Sequence, residues 1–342
     1  MKTPKDDPNA AGRKQDHIEL AFEARVNPHQ IDNRFYFEPA LSGHPQAGSI
    51  PTQEFLGKTF KIPLWVSSMT GGTAMARVIN HNLARACGAF GMGMGLGSCR
   101  SLLGLKSLPE DFTVRHLVGD QQPLYANLGI AQVEQLIEDQ KVSTIIEMVK
   151  RLEADGLIVH INPLQEWLQP EGDRYYTAPI ITIQRLLDQV DFPIIVKEVG
   201  QGMGINSLKA LLELPLAAVD FAANGGTNFA LLELLRSDET ARDTHRGLAQ
   251  IGHSAEEMNL LLQQLITQGN FEPSCRQIII SGGISNYLDG YYHLQQCPLP
   301  ALYGQASAFL KYARGDYEVL EKYIAEQVRG LEMAYAFLKV KS

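Results

Sequence analysis

Apolar runs recur along the chain, and most of them stop in small or polar residues. PLWVSSM around Leu64, GAFGMGMG around Phe90, PLYANLG around Tyr125 and GLIVHI around Ile158 come first. FPIIVKEVG around Ile195, LAAVDFAANGG around Val219, QIIISGG around Ile279 and ALYGQA around Leu302 follow. They are rich in Ile, Val, Leu and aromatic residues and alternate little with polar ones, the pattern of parallel strands covered on both faces. Between most of them the spacing turns helical, as in ARVINHNLARACG, QVEQLIEDQ with STIIEMVKRLEADG, TIQRLLDQV and SLKALLEL, several closed by Gly. Eight strands alternating with helices predict a single α/β domain over residues 1–342, a TIM (β/α)8 barrel. Two decorations are expected. One is the N-terminal extension to about Lys61. The other is an insertion between strands six and seven, about 228–276, too long for one crossover helix; its THRGLAQIGHSAEEMN reads as a lid. An open doubly wound sheet is the alternative. It wants a GxGxxG opening a helix after the first strand, and GMGMGLG follows the second instead.

Composition narrows the class. The 342 residues are 45% hydrophobic and 20% charged, with a net charge of -8. That argues against nucleic-acid binding, which needs a basic face, but not against a small anion, for which local charge decides. Cys87, Cys99, Cys275 and Cys297 are scattered with no CxxC pair, so neither a zinc site nor a disulfide framework is expected. The polar start MKTPKDDPNAAGRKQDH does not read as a secretory signal. No apolar run approaches the ~20 residues that span a bilayer. A cytoplasmic protein with no membrane partner is the expectation.

Barrel enzymes carry their chemistry at the C-terminal ends of the strands. The predicted ends offer Ser67 to Gly72, then Gly97 to Arg100, then Asn127. Strand four ends in HINPLQEWLQPEGDR, far more polar than a turn requires. Lys197 and Glu198 end strand five, Asn224 to Asn228 strand six, SGG from Ser281 strand seven, and GQAS from Gly304 strand eight. The glycines of the last two ends either permit tight turns or bare their amides to a phosphate, whose usual place in barrels this is. Lys197 is either a surface residue on a misread strand or an interior cation with an anionic partner. An electron-rich cofactor ring is such a partner, with Thr70, Ser98 and Asn127 at its edges. Together these features point to a flavin mononucleotide barrel.

RKQDHIELA from Arg13, SSMTGG from Ser67, GLGSCRSLL from Gly95, ANLG from Ala126, HINPLQEWLQPEGDR from His160, VKEVGQGM from Val196, NGGTNFA from Asn224 and SGGIS from Ser281 run in order over most of the chain. Together they resemble the type II isopentenyl-diphosphate isomerases, with HINPLQE followed by QPEGDR the most specific element. The resemblance implies reversible conversion of isopentenyl to dimethylallyl diphosphate in isoprenoid biosynthesis, with reduced FMN, NADPH as reductant, Mg2+, and a homotetramer or homo-octamer. It implies that Arg13 and Lys14 hold the diphosphate with Ser98, Arg100 and His160. Gln165 contacts the substrate and Glu166 holds Mg2+. Ser68, Met69, Thr70, Ser98, Asn127, Lys197 and Thr227 contact FMN; Gly283, Ile284, Ser285, Ala306 and Ser307 hold its phosphate. Cys99, Ser285 and Ser307 depart from the family's more frequent Gln, Arg and Gly; the loss of an Arg at 285 touches FMN affinity rather than function.

The chemistry fits these residue types. Mg2+ takes oxygen ligands, one or two carboxylates among them, and Arg and Lys suit a diphosphate. Moving a double bond needs one proton added and another removed. Reduced FMN acts as acid and base in one version, with Lys197 stabilising the anionic ring and Gln165 orienting the substrate. Side-chain acid catalysis by His160 or Glu166 is the competing version. Rival functions are an FMN-dependent oxidase or dehydrogenase and a non-catalytic flavin or prenyl-phosphate binder. Elsewhere, Asp16 reads as a helix N-cap with His17 facing solvent, and Asp173 and Arg174 as a pair with each other.

Overall fold

The computed structural model describes residues 10–105, 107–267 and 271–341. The opening nine residues of the extension and residues 268–270 of the insertion lie outside the described residues. Eight strands close into a barrel: β1 (Leu64–Val66), β2 (Gly93–Gly95), β3 (Leu124–Gly129), β4 (Gly156–His160), β5 (Ile194–Lys197), β6 (Ala218–Asp220), β7 (Ile278–Ser281) and β8 (Ala301–Gln305). Each is hydrogen-bonded in parallel to the next, and β8 returns to β1 with Tyr303 opposite Leu64. The second strand is centred on Met94, because Phe90 is the last residue of the preceding helix, Ala74–Phe90. Gly91, in the left-handed region at φ 72°, ends that helix as expected. The helix Val142–Arg151 ends instead through Glu153, held at φ 51°.

The weak alternation in the sequence has a direct cause. Side chains at even steps along the strands fill the barrel: Trp65, Tyr125, Ile158, Ile195, Ala218, Ile279 and Leu302 form one interior cluster. Those at odd steps, such as Val66, Met94, Ala126, Val159, Val196, Val219 and Ile280, pack under the helices. Both faces are apolar, so the strands read as continuous apolar runs. Trp65 meets Tyr125 edge-on at 6.1 Å between centroids. Its ring also takes the space that a side chain at position 93 would need, since a Cβ there would lie 2.4 Å from the indole.

A hairpin, Gln53–Phe55 with Lys58–Phe60, plugs the N-terminal mouth. Phe55 and Phe60 are fully buried against the interior cluster. The extension is fastened further on by Phe35–Phe37, which pairs antiparallel with Leu338–Val340 at the end of the chain. Before that, the helix Ala10–Leu20 and its sequel leave Ile18, Phe22 and Val26 exposed. Asp16 lies inside this helix, not at its N-cap; His17 is exposed, as expected. The insertion carries the helices Phe229–Arg236, Glu239–His245 and Ala255–Thr267. It is tied down over the ends of β5 and β6. Gln201 donates to the carbonyls of Leu248 (3.1 Å) and Ile251 (2.6 Å), and the His253 carbonyl accepts from the Asn224 amide at 2.8 Å. No described helix is long and apolar enough to cross a membrane.

Candidate active site

Two residues beyond the apolar interior layer, on strand after strand, the barrel turns polar. Trp65 is followed by Ser67, Tyr125 by Asn127, Ile158 by His160, Ile195 by Lys197, Ala218 by Asp220 and Ile279 by Ser281; β2 and β8 contribute Gly95 and Gly304. The period of two that makes an interior core layer thus also makes a polar floor at the C-terminal mouth. Ser67, Asn127, Lys197, Asp220 and Ser281 are buried there.

The floor is partly knitted together. His160 Nδ1 pairs with Asn127 Oδ1 at 2.8 Å, and Asn127 Nδ2 donates to the Leu96 carbonyl at 3.0 Å. Asp220 accepts from the Ala222 amide (3.2 Å) and from the Ser281 hydroxyl. Burial, and then the neighbouring Lys197 charge, push the His160 imidazole down to about 3, so it is neutral. Burial also draws the Lys197 pKa downward, opposed first by Asp220 and then by Glu198.

Above the floor opens a cavity. Its lining includes Ser67, Ser68, Lys197, Thr227, Gly283, Ile284, Ala306 and Ser307. The hydroxyls of Ser67 and Ser68 are buried without a hydrogen-bond partner among the described residues. Buried polar groups of this kind call for a ligand. On one side the ends of β6 and β7 meet backbone to backbone. A Cβ on Gly282 would lie 2.0 Å from the Ala223 carbonyl oxygen, and one on Gly225 would lie 3.1 Å from Gly283 Cα. Gly282 and Gly283 both hold positive φ, 93° and 74°. That wall is therefore bare backbone, a surface that suits a phosphate. An orphaned polar rim, an interior cation and a bare amide wall fit a flavin mononucleotide.

The predicted cofactor residues divide. Ser68, Lys197, Thr227, Gly283, Ile284, Ala306 and Ser307 line the cavity. Asn127 belongs to the floor. Met69 and Thr70 continue the β1 end, where the Thr70 carbonyl accepts from Asn80. Ser98 is exposed at the β2 end. Ser285 is not among the lining residues; its amide is engaged by Asp289 Oδ2 at 3.0 Å. Cys99 is a buried thiol pushed up to about 12 by burial.

The polar stretch after β4 is a hydrogen-bonded knot. Asn162 stands at the N-cap position of the short helix Pro163–Leu168, and its Nδ2 donates to Gln165 (3.1 Å) and Glu166 (3.0 Å). The other Glu166 oxygen accepts from the Asp173 amide at 2.7 Å. Asp173 pairs with Arg100 at 2.6 Å, joining this loop to the β2 end. Arg174 serves the Glu166 carbonyl and lies over the Trp167 ring at 5.1 Å, so Asp173 and Arg174 do not pair through their side chains. Gln165 Nε2 lies 3.4 Å from Glu233 Oε1, and Glu233 is held by Arg236 at 2.5 Å. The buried Glu166 carboxylate keeps lone pairs beyond its two hydrogen bonds, and a single such carboxylate suits a Mg2+ whose other ligands come from a diphosphate and water. Arg13 and Lys14 sit on the exposed helix Ala10–Leu20 and are not among the cavity's lining residues.

Asp220 and Glu233 were not picked out from the sequence. Asp220 had the same signal as Lys197, a charge ending an apolar strand. Glu233 sits in FALLELLR, where one acid on an apolar helix carries little signal.

No protein-family model matches the chain. Among curated relatives, the isopentenyl-diphosphate delta-isomerase of Rickettsia akari (strain Hartford) is 32% identical over 332 residues, covering 95% of this chain and 92% of the relative. That of Rickettsia prowazekii (strain Madrid E) is 32% identical over 321 residues, covering 93% and 89%. Among solved structures, a flavocytochrome b2 variant with benzoylformate superimposes with a TM-score of 0.60 at 16% identity, covering 90% of this chain and 76% of the other. A mandelate oxidase variant with a monooxide FMN adduct gives 0.55 at 12% identity, covering 90% and 88%. At such identities the structures speak for the fold alone.

Proposed function

The chain belongs to the type II isopentenyl-diphosphate delta-isomerase family, and on that premise we propose that it interconverts isopentenyl and dimethylallyl diphosphate, with reduced FMN in the β-strand mouth and Mg2+ on the diphosphate. The observation that carries this reading is the cavity itself. Its rim holds Ser67 and Ser68 hydroxyls without a partner among the described residues, its floor holds Lys197, and its β6–β7 wall is bare backbone.

A bound flavin, reduced by NADPH, would supply acid–base chemistry for moving the double bond. The chain's own residues have other tasks. Lys197 presents positive charge to an electron-rich ring. Ser68, Met69, Thr70, Ser98, Asn127 and Thr227 would contact the flavin, and Gly283, Ile284, Ala306 and Ser307 would hold its phosphate, while Ser285, its amide taken by Asp289, stands aside. Gln165, fixed by Asn162, orients the substrate, and Glu166 offers Mg2+ its carboxylate. His160 is neutral; a diphosphate beside it would draw a proton onto Nε2 and make it a donor. Arg100, with Arg13 and Lys14, supplies the remaining cations. The helix bearing Arg13 and Lys14 and the segment after it leave Ile18, Phe22 and Val26 exposed. A homotetramer or homo-octamer would cover that run, since apolar surface of this kind marks contact sites. The fastening of the insertion over β5 and β6 supports its role as a cover for the site.

The test is an anaerobic assay of purified protein with FMN, Mg2+, excess NADPH and isopentenyl diphosphate. Dimethylallyl diphosphate that appears only when the flavin is reduced is the expected result. Steady NADPH consumption with bound FMN and no isomer would replace this reading with an oxidoreductase. Absence of flavin binding would reject the cofactor assignment altogether.

A further inference from the structure

The buried carboxylate of Asp220 has no part in the assignments above. In the β5–β6 ladder Lys197 stands directly opposite Asp220. Two residues earlier on the same strands, Ile195 and Ala218 both point into the barrel core. The alternation of strand side chains therefore sends Lys197 and Asp220 inward at the same level, one strand spacing apart, about 4.8 Å. Lys197 lines the cavity; Asp220 does not and lies at the floor, 1% exposed. Its carboxylate is fixed by the Ala222 amide at 3.2 Å and by the Ser281 hydroxyl.

Such a layer is a poor place for a lone ammonium. Removing one from water costs several kcal/mol, and the Glu198 carbonyl, at 2.8 Å, takes one of its three N–H groups. A fixed counter-charge at the same level answers that need. We propose that Asp220 is the positioning residue for Lys197: it keeps Lys197 an ammonium aimed at the cavity, and so sets how strongly the site favours a reduced, anionic ring over an oxidised one. This rests on the flavin reading of the cavity. Asp220 touches neither ring nor substrate, and it acts only through Lys197. Ser281 and the Ala222 amide hold the carboxylate in place.

Asp220→Asn keeps the shape and an oxygen acceptor while deleting the charge. The expected result is FMN bound about as tightly as before, with the reduced-to-oxidised ratio at a fixed dye potential at least tenfold lower. For a two-electron couple that is about 30 mV. Lys197→Met should move the ratio the same way, and Asp220→Asn in the Lys197→Met background should add nothing. A purely structural Asp220 would weaken FMN binding and lower Tm in both backgrounds without moving the potential. An unchanged potential in Asp220→Asn overturns the proposal. If that variant does not fold, Asp220→Ser makes the same comparison. The wild type gives an independent reading: in flavin-free protein labelled with 15N-lysine, the side-chain nitrogen resonance missing from Lys197→Met should be that of an ammonium at neutral pH. A neutral amine there overturns the proposal. If no FMN binds at all, the flavin reading falls, while the nitrogen resonance still decides the pair.

Discussion

Gly282→Ala should weaken flavin binding far more than the same change one residue later. Gly282 holds φ 93°, and a Cβ built on it lies 2.0 Å from the Ala223 oxygen and 2.5 Å from the Ala223 nitrogen and carbonyl carbon. Left-handed backbone costs an L-residue roughly 1–2 kcal/mol. Relieving the overlap to an ordinary C···O contact of about 3.3 Å requires the β6 and β7 ends to part by more than an ångström. They are held together by the Ala223 amide on the Ser281 carbonyl at 2.8 Å and by the Ala222 amide on the Ser281 hydroxyl at 3.1 Å. Losing one or both adds about 1 kcal/mol each. The total is about 2–4 kcal/mol, or roughly 30- to 1,000-fold if it is expressed in binding. Gly283→Ala pays the backbone cost alone, since its Cβ would stand 3.4 Å from its nearest neighbour, the Asn224 oxygen. That predicts a loss of roughly 5- to 30-fold. The assay is FMN titration of flavin-free protein by fluorescence quenching, with a thermal melt beside it. Equal affinity and equal Tm in both variants and the wild type would refute the placement of FMN against the β7 end.

Further outcomes follow from the same geometry. The His160 imidazole titrates at about 3 in the folded protein and near 6.5 when unfolded, so its contribution is whole above about pH 6.5 and is lost as pH falls from there toward 3. At 1.36 kcal/mol per pH unit the full window spans no more than ~5 kcal/mol. Denaturant melts between pH 7 and 4 should fall less steeply for His160→Gln than for wild type, and parallel curves would contradict a neutral His160. Phe55→Ala empties a fully buried site in the barrel plug and should cost about 3–5 kcal/mol, read as a lower Tm. Because that plug closes the opposite mouth, FMN affinity at 25 °C should stay within about twofold of wild type; a parallel loss of affinity would show that the two ends are coupled.

Much of the architecture was legible because its causes are local. A strand buried on both faces must be apolar through its core, and the barrel strands show it up to the polar residues at their C-terminal ends. The glycines at 282 and 283 were legible for the same reason, since only Gly takes those conformations cheaply. The floor was half legible. Lys197 stood out in IIVKEVG, yet Asp220 in AAVDFAA carried an equal signal that becomes pointed only once register places the two side by side. Register is a property of pairing, which one strand's sequence does not contain. The stretch after His160 was legible as polar but not as a knot, because its partners come from elsewhere in the chain, Arg100 from the β2 end and Glu233 from the helix Phe229–Arg236. The misplacement of strand two has a simpler reason: Phe90 is apolar in a helix and would be equally apolar in a strand, and short apolar runs do not separate the two.

The knot and the floor bear on where the protons go. An unactivated alkene needs a strong acid in a dry place. His160 is neutral, with Nδ1 committed to Asn127. Glu166 accepts an N–H on each oxygen, and Glu233 is paired to Arg236. Glu166 and Glu233 already fix neighbours through the very atoms that proton transfer would use, and a neutral His160 that gives its Nδ1 proton to Asn127 carries none on Nε2 to donate. Making one of them the acid would cost the hydrogen bonds that place Gln165 and the β4 loop, roughly 1–3 kcal/mol for each buried partner left unmatched. The arrangement therefore favours positioning and exclusion of water as the work of the side chains, and the flavin version of the chemistry over the side-chain one. Glu166→Gln separates the two. It should weaken dependence on Mg2+ and raise KM while leaving the pH profile of kcat in place. A kcat that loses its alkaline limb with that substitution would return the proton to the protein.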